Sequence, residues 1–292
     1  MDGFQSAARL LPPEIERAAQ ALPADQRLLC EEFRLRAGRL PSVLLGGREY
    51  ALGSVPVERD MLRCVLETAT RSSLHAQTEA LRRGFVSAEG GVRVGLCGTG
   101  VLGIRGLEGL TDYSSLSIRI PRAVPGCADG IWPALTAGGF SSALILSPPG
   151  VGKTTLLREL VRKLSESGKR VAVADERREI AAFGGGAFGF DVGRFTDVMT
   201  AVPKAEAVGM LLRAMNPEII AVDEITDPRD VEMLLEAAGC GVELLATVHA
   251  ACPVDISRRP AGRLLLESGV FTRCVTVENR NGQRVYAVET MP

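Results

Sequence analysis

The residues best suited to phosphate chemistry are consecutive: Ser147, Pro148, Pro149, Gly150, Val151, Gly152, Lys153, Thr154 and Thr155. Glycine enters left-handed backbone torsions without strain, so Gly150 and Gly152 permit a sharp loop. When a helix follows such a loop, inward-facing N–H groups and the positive end of the helix form an anion cradle. In a Gly-Lys-Thr run the lysine reaches the β- and γ-phosphates of a nucleotide, and the threonine hydroxyl is a ligand for Mg²⁺. The flanks fit, because the apolar run 143–146 predicts a strand before the loop and 156–164 predicts a helix after it. These nine residues are therefore expected to bind ATP or GTP. One departure is Ser147, which stands where the usual pattern opens with glycine.

Three further polar signals each follow an apolar run. Asp223 and Glu224 end the segment 218–222. An aspartate there holds Mg²⁺ and a glutamate polarises the attacking water. Two carboxylates at the end of a strand are common by chance, and it is the upstream phosphate loop that favours the catalytic reading. Glu176 and Glu179, in the run 175–179 after a third apolar segment, are candidates for positioning water or metal. Their bland reading is a solvated charged loop. His249 follows the apolar run 244–248 and suits a γ-phosphate sensor, although a lone histidine is more often structural. The coincidence matters because open α/β sheets bind ligands at the carboxyl ends of their strands.

Other residues are less specific. His75 reads as a surface or packing residue. Arg93, Arg105 and Arg119 are either arginine fingers for a neighbour's nucleotide or solvated strand charges. Gly184–Gly186 reads as a mobile loop without an assigned role.

The elements that must position these groups divide the chain in two. Residues 1–125 mix short helices and strands in an α+β pattern. The run 12–19 is expected to start a helix, strands are expected at 32–36 and 42–45, and Asp60 is expected to cap a helix over 61–69. A hairpin joins 85–87 to 92–96, and residues 116–120 alternate like a strand. The breaker-rich run 121–126 reads as a linker. Residues 126–292 alternate strands (143–146, 171–174, 218–222, 243–247) with helices (near 153–167, 204–215, 228–238). This is the signature of a mostly parallel sheet. Asp227 and Pro228 form a helix start, and 274–277 with 284–288 predict an antiparallel edge hairpin around Asn281-Gly282.

Composition narrows the classes. The 292 residues are 46% hydrophobic and 24% charged, with a net charge of −1. That is ordinary for a soluble globular protein and makes no case for wholesale nucleic-acid or membrane binding. Aromatic residues at 4% leave no basic-aromatic stripe for single-stranded nucleic acid. The N-terminus lacks a signal-peptide pattern, and no stretch suits a membrane span. Seven scattered cysteines without a Cys-x-x-Cys pair predict free thiols in a reducing cytoplasm.

In their order these motifs resemble the stage III sporulation protein AA family. The residues that bear the resemblance are 33–36, 90–95, 114–120, the phosphate loop, 175–180, 197–206, 215–224 and 247–249. The block 197–224 is the most distinctive, and Thr226 departs from a usual glycine. That family looks like the traffic ATPases of type II and type IV secretion. The resemblance implies a RecA-like P-loop ATPase domain with a smaller N-terminal α+β domain packed over the nucleotide, in a hexameric ring. It also implies a cytoplasmic motor, peripheral at the membrane through channel proteins between mother cell and forespore. By position it assigns Lys153, Thr154, Asp223 and Glu224 to the nucleotide motifs, Glu176 and Glu179 to an acidic box, and His249 to a histidine box. The expected function is ATP hydrolysis with Mg²⁺. The rivals are a nucleotide-switched single-strand binder, a structural ring with vestigial hydrolysis and, more weakly, a small-molecule kinase.

Overall fold

In the computed structural model the described residues are 3–71, 84–103, 106–183, 188–250, 252–258, 260–280 and 283–291. They divide into two compact units, one of residues 1–122 with 182–190, the other of 123–181 with 191–292. His75, Arg105, Gly184–Gly186 and Asn281-Gly282 lie outside the described residues.

The first unit opens with three short helices, α1 (Gly3–Ala8), α2 (Pro13–Gln20) and α3 (Ala24–Leu29). Strands β1 (Cys30–Arg36), β2 (Ser42–Leu45) and β3 (Arg48–Ala51) follow, then helix α4 (Arg59–Thr70). Strands β4 (Phe85–Ser87), β5 (Arg93–Gly103) and β6 (Gly106–Arg119) complete an antiparallel sheet ordered β3-β2-β1-β6-β5-β4. Alternation along β1 sends Phe33 and Leu35 into the core, where Leu116 and Ile118 of β6 and Leu62 of α4 join them. Helix α4 departs from expectation: Glu58 is its N-terminal flank and no side chain caps it. Asp60 instead accepts a bond from Arg63. Strands β5 and β6 run longer than their apolar alternation indicated, because backbone pairing continues through a glycine-rich stretch without side chains to mark it.

Residues 182–190 join this unit although the sequence places them deep in the second half. A Cβ on Gly91 would meet the Ala182 methyl at 2.8 Å and the Phe190 ring at 2.9 Å, and Gly189 packs as closely on the backbone of Gly90. Only glycines permit that approach.

The second unit holds α5 (Trp132–Thr136), β7 (Ala143–Ser147), α6 (Lys153–Glu166), β8 (Val171–Asp175), β9 (Thr196–Thr200) and α7 (Lys204–Met215). Then come β10 (Ile219–Val222), α8 (Pro228–Gly239), β11 (Glu243–His249), α9 (Pro253–Ile256), α10 (Pro260–Glu267), β12 (Arg273–Arg280) and β13 (Gln283–Thr290). The sheet order is β13-β12-β7-β11-β10-β8-β9, parallel except for the edge strand β13. Successive residues face opposite sides. Ala143, Ile145, Val173 and Ala221 pack with Leu156, Leu157 and Leu160 of α6, while Leu144, Leu146, Ala174 and Val222 pack with Val208 and Leu211 of α7 and Leu234 of α8. Helices therefore cover both faces, which is why the central strands read as continuous apolar runs. Asp227 caps α8 as expected, accepting the N–H of Arg229 at 2.9 Å.

Candidate functional site

Strand β7 and helix α6 hold the phosphate loop between them, with Gly150 at φ +77° and Gly152 at φ +113°. Ser147 is fully buried, and its hydroxyl donates to the Pro148 carbonyl at 2.7 Å, back into the loop. Parallel pairing places the ends of β7, β11, β10 and β8 side by side, with His249 in register with Ser147. The loop, His249, Asp223-Glu224 and Glu176 are thus carried to one edge of the sheet.

Asp223 is fixed at both oxygens. Thr154 Oγ1 donates to one at 2.7 Å and Thr247 Oγ1 to the other at 2.5 Å. The same Thr247 oxygen accepts the N–H of Glu224 at 2.8 Å. Glu224 has φ +50°, an uncommon left-handed torsion for a residue with a side chain, and Thr247 secures it there. Sequence reasoning gave Thr247 no role, since a threonine inside an apolar strand shows nothing of the partner it meets across the sheet.

Lys153 is almost fully buried, and its ammonium lies 2.7 Å from His249 Nδ1. An ammonium can only donate, so Nδ1 accepts and the ring proton belongs on Nε2, which is 3.5 Å from Glu224 Oε1. Burial lowers the pKa of Lys153, while Asp223, Glu224 and Glu179 pull it back up. The His249 pKa is lowered first by burial and then by the Lys153 charge, which keeps the imidazole neutral at neutral pH. Arg177 also pairs with the Glu224 carboxylate.

The acidic loop after β8 is rigidly built. Asp175, nearly inaccessible, accepts the N–H groups of Glu179, Ile180 and Ala181 at 2.8, 3.1 and 2.9 Å. Arg158 of α6 donates to the carbonyls of Ile180 and Glu179 at 2.6 Å each, and burial lowers its pKa to about 10, still charged at neutral pH. Asp175 is thereby engaged in holding the loop's backbone. Glu176 pairs at 3.1 Å with buried Lys204, the first residue of α7. Glu176, Glu179, Lys204, Asp223 and Glu224 line one small cleft. Two roomier depressions lie elsewhere, about 380 Å³ beside Arg34, Arg93 and Arg119 and about 610 Å³ beside Lys169 and Pro217. The chemistry, not the volume, marks the site. Arg93 and Arg119 belong to the first unit, where Arg93 lies over the Phe85 ring and Arg119 faces Glu32 at 3.8 Å.

Among the described residues no group of three or more His, Cys, Asp or Glu could hold a metal ion. Thr154 and Asp223 nonetheless fit Mg²⁺, which takes one or two protein oxygens and completes its shell with waters and substrate phosphates. All seven cysteines are free. Among the described residues no helix is long and apolar enough to cross a membrane.

Known proteins resemble the chain in fold and in sequence. The Legionella pneumophila ATPase DotB resembles the chain with a TM-score of 0.59 at 19% identity, over 89% of this chain and 76% of that one. The pilus retraction motor PilT, solved with bound ADP, gives 0.62 at 17% identity, over 91% and 80%. These likenesses show the fold, with a RecA-like domain. Stage III sporulation protein AA of Bacillus subtilis (strain 168) is 35% identical over 281 residues, covering 94% of this chain and 91% of that protein. The family described as "Sporulation stage III, protein AA" matches residues 4–288. The chain belongs to the stage III sporulation protein AA family.

Proposed function

We propose that the chain is an ATP-hydrolysing motor of the secretion-ATPase kind that energises a channel complex between mother cell and forespore. One observation carries the reading: two threonine hydroxyls, from α6 and β11, hold the two oxygens of Asp223 beside the phosphate loop. A carboxylate oriented in this way is organised for a metal and a nucleotide rather than for solvent.

Lys153 neutralises phosphate charge, and Thr154 and Asp223 would hold Mg²⁺. Mg²⁺, when bound, would supply positive charge to offset the negative charge that develops on the phosphates. Glu224 orients the attacking water and takes its proton as the new O–P bond forms and ADP leaves with the bridging oxygen. Glu176 and Glu179 position water in the adjoining cleft. His249 touches both Lys153 and Glu224, so a change at the γ-phosphate reaches β11 through it. An arginine of an adjacent subunit completes the site in a homo-oligomer, a hexamer by analogy. Membrane proteins of the sporulation channel are the expected partners, with this chain peripheral on the cytoplasmic side.

Phosphate release with Mg-ATP, followed across protein concentration, tests the reading. A rate per chain that climbs with concentration and vanishes in Lys153→Ala and Glu224→Gln supports it. Hydrolysis unchanged in Glu224→Gln overturns the assigned chemistry. Nucleotide binding without release in the wild type makes the chain vestigial or dependent on its channel partner.

A further inference from the structure

The hairpin of β12 and β13 brings a cation to the phosphate loop. Strand β12 runs parallel to β7 and pairs with it as far as Thr276 opposite Leu146, then continues to Arg280. Its partner β13 returns with Arg284 opposite Asn279, so Arg284 projects beside the loop that follows β7. The guanidinium lies against Gly152. A Cβ there would stand 2.8 Å from Cζ, 2.9 Å from Nε and 3.2 Å from Nη1 of Arg284. The torsion of Gly152, φ +113°, favours glycine, and the absent side chain leaves the room in which the guanidinium sits. Half-buried Tyr286, two residues further along β13, interacts with both Arg284 and Cys127.

That seat is electrostatically odd. Gly152 immediately precedes the 14-residue helix α6, whose first turn presents unpaired N–H groups and a partial positive charge. A cation beside a helix N-terminus is unfavourable, and Lys153 adds a second one. Among the described residues Arg284 makes no ion pair with a carboxylate. Three positive elements converge on one loop, an arrangement that an anion resolves.

We propose that Arg284 is a phosphate ligand for the bound nucleotide, supplied by the same chain. The inference rests on the nucleotide-binding reading above and adds a residue to it. The loop segment before the lysine cradles the α- and β-phosphates, so the fork of Arg284 addresses phosphates that ATP and ADP share. Arg284 is thus a binding residue indifferent to the γ-phosphate, unlike Lys153 and His249.

The test measures binding of ADP and of ATP, each with Mg²⁺, to wild type, Arg284→Ala, Arg284→Gln, Arg284→Lys and Lys153→Ala. A charge-assisted, two-pronged contact predicts that Arg284→Ala and Arg284→Gln weaken both nucleotides about 10- to 100-fold, by the same factor for each. Arg284→Lys is expected to recover part of the loss, as a point charge without the fork. Arg284 is exposed, so the variants should melt with the wild type. Wild-type affinity in Arg284→Ala or Arg284→Gln, while Lys153→Ala has lost binding, overturns the role of Arg284 alone. A larger loss for ATP than for ADP overturns its assignment to the shared phosphates. Wild type that binds neither nucleotide, or Lys153→Ala that binds as well as wild type, overturns the nucleotide site itself.

Discussion

Replacing Thr247 by valine keeps the side chain's shape and removes one oxygen. Thr247 is completely buried, so the new methyl occupies the hydroxyl's place and no water can stand in. Two bonds disappear together: the N–H of Glu224 loses its acceptor, and one oxygen of Asp223 loses its donor. A buried donor left unsatisfied costs about 1–3 kcal/mol, and a hydrogen bond to a charged group contributes about 1.5–3 kcal/mol. Asp223 and Glu224 are only partly buried and recover some hydration at their open sides, which puts the expected loss near 2–4 kcal/mol. Urea unfolding followed through Trp132, the single tryptophan, reads the second unit directly. Combining the change with Asp223→Asn should reveal a coupling of at least about 1 kcal/mol, since the two residues share a bond. Thr247→Ser should restore most of the loss. In the Mg-ATP assay Thr247→Val should need more Mg²⁺ for half-maximal release, because Asp223 is tethered on one side only. A valine variant within about 0.5 kcal/mol of wild type, with an unchanged Mg²⁺ requirement, would refute the claim that Thr247 orients Asp223.

Other consequences follow from burial, titration and close packing. Lys153→Met should raise the stability of the ligand-free protein at pH 7, because it removes a charge that burial disfavours. That gap should close as pH rises toward 10.5, since the folded chain releases the Lys153 proton before the unfolded chain does; urea midpoints from pH 7 to 10 measure it. For His249 the depressed folded pKa means that the unfolded chain binds a proton first as pH falls through 6.5. Wild type should therefore lose stability below that pH, and His249→Asn should lose less; parallel pH curves would count against the burial of His249 beside Lys153. Gly91→Ala places a Cβ at φ +79° against Ala182 and Phe190. Strain of about 1 kcal/mol plus overpacking of about 1–3 kcal/mol should appear as an early loss of the first unit's circular dichroism signal, whereas a wild-type melting curve would place residues 182–190 elsewhere.

Much of the second unit was legible because its determinants are local. Strands β7, β8, β10 and β11 are apolar runs of strand length, and the runs that became α6, α7 and α8 read as helices, α8 with a start signal at Asp227 and Pro228. The loop chemistry at 147–155 and the carboxylates at 223–224 could be named because each motif is contiguous. Less local elements were missed. Strand β9 is partly exposed at the sheet's far edge and gives little hydrophobic signal. Strand β3 is wholly exposed, and the outer halves of β5 and β6 are held by backbone pairing that glycines do not advertise.

The sequence by itself determined which residues are of the types suited to phosphate, metal and proton-transfer chemistry, and that alternating strands and helices would bring them to one end of a parallel sheet. Tertiary structure decided what each group faces. Asp223 lies 69 residues from Thr154 and 24 from Thr247, and only the register of β10 against β11 and the exit of α6 from β7 bring the three together. Arg177 on Glu224, Lys204 on Glu176, Arg284 on Gly152 and the return of residues 182–190 to the first unit arise in the same way. Such pairings depend on the spatial order of strands, which is set by the packing of two hydrophobic layers and not by any stretch of neighbouring residues.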